Sequence, residues 1–162
     1  MSEQAKEIAL FVQEDDPQTM DHLLDIVARI GLTMEVTTCF SSRHLADTEY
    51  MLEVDPALEG FTHLLFDLDV EHYSRRRNGK LVEYGTRTKY AGLDYILDAY
   101  DHLPGFREKV KTKRVAIFSA HSIDFLEQDC GSTGKAVHEH CHYISKLSKS
   151  LGDKILRWLG EG

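Results

Sequence analysis

The segment Thr62 to Val70, Thr-His-Leu-Leu-Phe-Asp-Leu-Asp-Val, constrains the fold of this chain more than any other stretch. Its apolar start is nearly continuous instead of alternating, so a strand formed there has to be covered on both faces. Sheets buried on both faces are built from parallel strands joined by crossover helices. Its carboxylates arrive at the C-terminal end, the edge beyond which ligands of such sheets bind.

The rest of the chain carries the matching alternation. Glu7 to Gln13 reads as a first strand, followed by an acidic loop of Glu14, Asp15 and Asp16. From Pro17 a helix is predicted, because Leu23, Leu24, Ile26, Val27 and Ile30 recur at helical spacing. Gly31 ends it, and Met34 to Phe40 is β-branched and aromatic enough for a second strand. Ser41 and Ser42 then cap a helix through about Val54, and Asp55, Pro56 and Gly60 punctuate the loop before the third strand. A helix over Leu93 to Leu103 precedes a fourth strand, Val115 to Phe118, which closes on Ser119, Ala120 and His121. Between Ser122 and His140 a helix interrupted near Gly131 and Gly134 is expected, then a short fifth strand at His142 to Ser145 and a final amphipathic helix over Leu147 to Leu159. Five strands alternating with helices predict one α/β domain over residues 1–162, a doubly wound parallel sheet with helices on both faces.

Composition is consistent with that reading. With 162 residues, 42% hydrophobic and 28% charged, the chain is long enough for one globular core without staples. Its longest apolar runs fall far short of the roughly 20 residues a membrane helix needs. The first ten residues lack the apolar centre of a secretory signal. Cys39, Cys130 and Cys141 form an odd set without close pairing, which fits reduced thiols. The cytoplasm is the expected location. A net charge of −8 argues against nonspecific nucleic-acid binding. Residues Glu71 to Tyr90 are the exception: six basic against two acidic residues make the segment +4 and leave −12 for the remainder. It reads as a hairpin turning near Asn78 and Gly79, a solvated feature or a docking surface.

Polar groups sit where the strands end: Glu14 and Asp15 after the first, Asp67 and Asp69 at the third, Ser119 at the fourth, Lys146 after the fifth. A parallel sheet gathers these ends along one edge. Carboxylates so gathered need a cation, and Mg²⁺ takes a few carboxylates along with waters and phosphate oxygens. A carboxylate can also attack phosphorus when metal and ammonium charge offset the repulsion. Asp67 is the expected nucleophile, Lys146 the compensating charge.

In these residues the chain resembles the response-regulator receiver domains of two-component signalling, over nearly its whole length. Phe-Val-Gln-Glu-Asp-Asp-Pro looks like the family's first strand and acidic pair, with Glu14 in place of the more frequent Asp. Leu-Leu-Phe-Asp-Leu-Asp-Val places the phosphoacceptor at Asp67, Val-Ala-Ile-Phe-Ser-Ala-His the strand-end hydroxyl at Ser119, and His-Tyr-Ile-Ser-Lys the switch aromatic and the lysine at Tyr143 and Lys146. The resemblance implies a flavodoxin-like strand order 2-1-3-4-5. It also implies a Mg²⁺ site of Glu14, Asp15, Asp67 and the backbone carbonyl of Asp69, with Ser119 and Lys146 contacting the phosphoryl group. Phosphoryl transfer from a histidine kinase or phosphotransfer protein is then expected, with output through a separate downstream protein, a possible homodimer, and no enzymatic role beyond chemistry at Asp67 itself. Asp69 and His121 are expected to flank the pocket mouth. Two departures stand out: Leu147 where the family usually has Pro, and an interval from Asp67 to Gly92 that is longer than usual and contains the basic segment.

Other readings remain at this stage. Phe-Asp-Leu-Asp-Val is similar to the nucleophile-and-acid motif of haloacid-dehalogenase-like phosphatases, with Asp67 and Asp69 in those roles, although that family places the motif on its first strand. A receiver-like binding module independent of phosphorylation is another. His-Glu-His-Cys-His, residues 138–142, offers Zn²⁺ ligands without a remote pair to complete a site. Gly-Ser-Thr-Gly-Lys, residues 131–135, lacks the early Gly and following Ser or Thr of a phosphate loop.

Overall fold

The computed structural model describes residues 8–14, 16–30, 60–70 and 79–160, together with the backbone of 36–42 and 73–77. The elements are β1 Ile8–Gln13, α1 Pro17–Ile30, β2 Val36–Ser42, β3 His63–Asp67, β4 Tyr73–Arg77, β5 Lys80–Tyr84, α2 Ala91–His102, α3 Pro104–Lys111, β6 Val115–Ser119, α4 Leu126–Asp129, α5 Gly131–His140, β7 His142–Ser145 and α6 Leu151–Gly160. Five strands form one parallel sheet in the order β2-β1-β3-β6-β7. With the β4–β5 hairpin set aside, this is the expected order 2-1-3-4-5.

The sheet separates two apolar layers, which is why its strands read as continuous apolar runs. Leu10, Val12, Leu65, Ala116 and Phe118 pack with α1 and α6, including Trp158, on one face. Phe11, Leu64, Phe66, Val115 and Ile117 pack with α2, α3 and α5 on the other. In α1 the buried positions Met20, Leu23, Val27 and Ile30 follow helical spacing and place one stripe on the sheet. No helix among the described residues is long and apolar enough to cross a membrane. Cys130 and Cys141 are buried and outside any disulfide, and burial pushes the Cys141 thiol up to about 12.

Several local expectations need correction. Ser41 and Ser42 belong to β2, and the helix expected after them lies outside the described residues. The helical stretch after β6 breaks at Cys130 and Gly131 only, where Gly131 takes φ +66°. Gly134 is inside α5, close against the Leu126 carbonyl, so it serves tight packing and not interruption. The last helix begins at Leu151, after a turn in which Ser148 Oγ accepts the Ser150 N–H. The α3 helix was not expected. Pro104 occupies its first turn, where a missing N–H costs nothing, and Phe106 and Val110 bury one turn apart.

The basic segment forms an antiparallel hairpin, Tyr73 pairing with Tyr84 and Arg77 with Lys80, apart from the main sheet; Asn78 lies outside the described residues. Its base is firmly held. Tyr84 is 1% exposed, packs edge-on against Tyr95 and donates its hydroxyl to Asp98 Oδ2 at 2.5 Å. The buried Asp94 carboxylate accepts four hydrogen bonds from the return strand: from the Gly85 and Arg87 N–H groups at Oδ2, and from the Thr88 N–H and hydroxyl at Oδ1. We expect Asp94→Asn to lower stability in urea unfolding by about 2–3 kcal/mol, because its amide nitrogen would face donors.

Candidate functional site

Strand register builds the site. Gln13 pairs with Phe66, Asp67 with Phe118, and Ser119 with Ser145. Glu14, Asp67, Ser119 and Lys146 therefore all fall within one residue of the same sheet edge. Together with Asp16, Asp69, Ala120 and His121 they line a cleft of about 230 Å³.

Lys146 joins the two buried acids. Its Nζ lies 2.8 Å from Glu14 Oε2 and 3.2 Å from Asp67 Oδ1, while the two carboxylate side chains are 1% and 3% exposed. The contact with Glu14 is an ion pair without the angle of a directed hydrogen bond. The ammonium also sits 5.1 Å from the centre of the Phe118 ring. Burial pulls the Lys146 value down, but the Glu14 and Asp67 carboxylates outweigh it and the net direction is up. Burial and then the Glu14 charge push Asp67 from its ordinary 3.8 up to about 8, against the opposing pull of Lys146. One ammonium between two acids leaves the pocket short of positive charge, so Asp67 favours its proton.

The neighbours hold this arrangement. The Asp69 N–H donates to Asp67 Oδ1 at 3.3 Å, and the Lys146 N–H donates to the Ser119 carbonyl at 3.0 Å. Ser119 is 1% exposed, and its Oγ accepts the His121 N–H at 2.9 Å. Gly92 stands directly over Asp67: a Cβ there would lie 2.0 Å from the Asp67 carbonyl oxygen, and the Gly92 N–H donates to the Leu68 carbonyl at 3.1 Å. Only glycine permits that approach. Tyr143 lies at the surface with its hydroxyl 2.7 Å from the His121 carbonyl and 3.1 Å from that of Ser119. Leu147 is exposed and follows a trans peptide.

Asp15 lies outside the described residues. Asp16, read from sequence only as part of an acidic loop, caps α1 by accepting the Thr19 N–H and hydroxyl, which hold its carboxyl below the ordinary value, and it also lines the cleft. Asp69 directs its side chain to solvent, with Oδ2 3.8 Å from His121 Nε2. Among the described residues no three His, Cys, Asp or Glu side chains surround a common metal position. Within the His-rich segment, His138 meets Asp124 and Glu127 while His142 stacks on Trp158, so the histidines diverge.

The chain matches no protein-family profile, and no curated protein matches it. Among solved structures it is similar to a crystal structure of a pilus assembly-related protein from Burkholderia pseudomallei, at 14% identity over 95% of this chain and 90% of that one, with a TM-score of 0.51. The solution structure of the N-terminal receiver domain of NtrC is similar at 17% identity, 95% and 92% coverage, and a TM-score of 0.45.

The raised Asp67 value makes a signed expectation. With EDTA present, the folded state holds a proton there that the unfolded chain gives up, so this group stabilises the fold at low pH and the contribution is lost between about pH 4 and about pH 8. Urea unfolding should show Asp67→Asn gaining stability relative to wild type across that window.

Proposed function

We propose that this chain, whose parallel sheet has the flavodoxin-like order 2-1-3-4-5, is a phosphoacceptor signalling domain of the response-regulator kind, taking a phosphoryl group on Asp67 and passing the signal to a separate protein. The observation that carries this reading is Lys146 bridging two buried carboxylates at the sheet edge. Two acids buried at the mouth of a cleft beside one ammonium form the kind of perturbed cluster that functional sites use.

The donor set suits Mg²⁺: hard oxygens from Glu14 and Asp67, with the Asp69 backbone carbonyl and Asp15 as the further expected ligands. The fit rests on two buried acids sharing one ammonium and on a Glu14 oxygen that lacks a directed hydrogen bond. Bound there, Mg²⁺ supplies the positive charge the pocket lacks and orients phosphoryl oxygens.

An Asp67 carboxylate oxygen attacks the phosphorus of a phosphohistidine, the O–P bond forms, the N–P bond breaks, and the electron pair stays on the imidazole nitrogen. Lys146 offsets charge on the transferring oxygens. Ser119 turns its hydroxyl from the His121 N–H toward the new group. The His121 N–H so released frees the loop whose Ser119 and His121 carbonyls hold the Tyr143 hydroxyl, so Tyr143 leaves its surface position and changes the face seen by a partner. A histidine kinase or phosphotransfer protein is the natural donor for such chemistry. The phosphatase reading is weakened by Asp69, whose side chain is 70% exposed and directed to His121, where that mechanism needs an acid facing the leaving group.

Intact mass after incubation with acetyl phosphate tests the proposal. We expect one added phosphoryl group with Mg²⁺, none with EDTA and none in Asp67→Ala. Lys146→Ala should load about a hundredfold more slowly. A folded, Mg²⁺-supplied wild type that gains nothing would instead mark a domain that signals by binding alone.

A further inference from the structure

We propose that Tyr90, the residue through which the hairpin insertion rejoins the fold, is a positioning residue that sets how fast the phosphorylated state is lost, by holding His121 over the mouth of the acceptor cleft. The inference rests on the phosphoacceptor reading of Asp67 and concerns the regulation of that same site.

The placement of Tyr90 is determined by the insertion. Its N–H donates to Thr88 Oγ1 at 3.3 Å, and Thr88 is itself bonded through both backbone and hydroxyl to the buried Asp94. The Tyr90 carbonyl in turn accepts the Asp94 N–H at the start of α2, at 2.9 Å. The ring so placed lies 5.1 Å from the His121 imidazole at an interplanar angle of 30°, with Phe125 behind it at 6.4 Å. This is a tilted ring-on-ring contact between the insertion and the loop after β6.

His121 is a partition between two spaces. It lines the acceptor cleft beside Asp67, Ser119 and Lys146, and it lines a larger cleft of about 590 Å³ bounded by Lys89, Tyr90, Phe125 and Cys130. On the acceptor side its Nε2 lies 3.8 Å from Asp69 Oδ2, across the mouth. Its side chain is 46% exposed, so packing from the core does not immobilise it, and the Tyr90 ring lies against its side. Without that ring the imidazole can swing into the larger cleft and join the two spaces.

The consequence is for water. Loss of the phosphoryl group requires a water oxygen to attack phosphorus in line as the bond to the Asp67 oxygen breaks; the carboxylate leaves with the electron pair and inorganic phosphate is released, the water proton passing to solvent. A partition held across the mouth restricts that approach. The insertion, ordered by Asp94 and ending in Tyr90, thus acts on the lifetime of the signal without touching the phosphoryl group.

The test loads wild type, Tyr90→Ala, Tyr90→Phe, His121→Ala and the Tyr90→Ala/His121→Ala double variant with acetyl phosphate and Mg²⁺, removes the donor, and follows intact mass with time. We expect Tyr90→Ala to lose the group about two- to tenfold faster, the range an aromatic pair of this kind accounts for. Tyr90→Phe, which keeps the ring, should stay near wild type. In the His121→Ala background, Tyr90→Ala should add nothing, a non-additivity that general loosening of the fold would not produce. Should Tyr90→Ala fail to fold, a shortened lifetime in His121→Ala with wild-type decay in Tyr90→Phe supports the partition, and an unchanged lifetime in His121→Ala overturns it. A loaded Tyr90→Ala that decays at the wild-type rate, or full additivity in the double variant, overturns the inference and leaves the phosphoacceptor reading standing. A wild type that never loads removes that reading and the inference with it.

Discussion

One ammonium group shared between two buried carboxylates is the interaction on which the rest of this structure depends. Burying either acid alone would be costly, and a single cation offsets only part of the cost. The pocket is therefore left with more negative charge than it can hold, and the sharing of a proton at Asp67 is the relief open to it at neutral pH. The parallel register that brings four strand ends to one edge, the Phe118 ring beside the lysine and the Gly92 backbone against Asp67 all serve to keep that cluster intact.

The insertion is coupled to the same cluster from two directions. Asp94 gathers the returning strand onto the first turn of α2, where Gly92 touches the Asp67 carbonyl, and the next contact along the return places Tyr90 on His121. A segment that could have been a solvated excursion is instead anchored by two buried carboxylates, Asp94 and Asp98, at its base.

Much of this was legible in the sequence, for identifiable reasons. Strands covered on both faces have to be apolar throughout, so Thr62 to Phe66 and Val115 to Phe118 declared both their position and their parallel pairing. Polar residues that interrupt such runs must lie at an end, which located Asp67, Ser119 and Lys146 together. The hairpin followed from the Asn-Gly turn at Asn78 and Gly79. The α3 helix was missed because its eight residues follow directly on α2 across Leu103, with no loop signal between them. Gly134 was misread because a helix glycine signals weakness by propensity, whereas here the absent Cβ admits the Leu126 carbonyl. Asp94 and Tyr90 carried no signal at all: a carboxylate in a helix's first turn looks like ordinary surface charge, and an aromatic in an insertion has no periodicity to place it.

The central claim is that Asp67 is the acceptor, with Glu14 and Lys146 arranged to serve it. A crystal structure with Mg²⁺ and beryllium trifluoride, a stable mimic of the phosphoryl group, tests it most directly. The account predicts beryllium bonded to an Asp67 oxygen, a metal held by Glu14 and the Asp69 carbonyl, Lys146 shifted from the acids to a fluorine, and Tyr143 moved from the Ser119 and His121 carbonyls. A well-ordered Asp67 without the mimic, with Lys146 still bridging the two carboxylates, would contradict it.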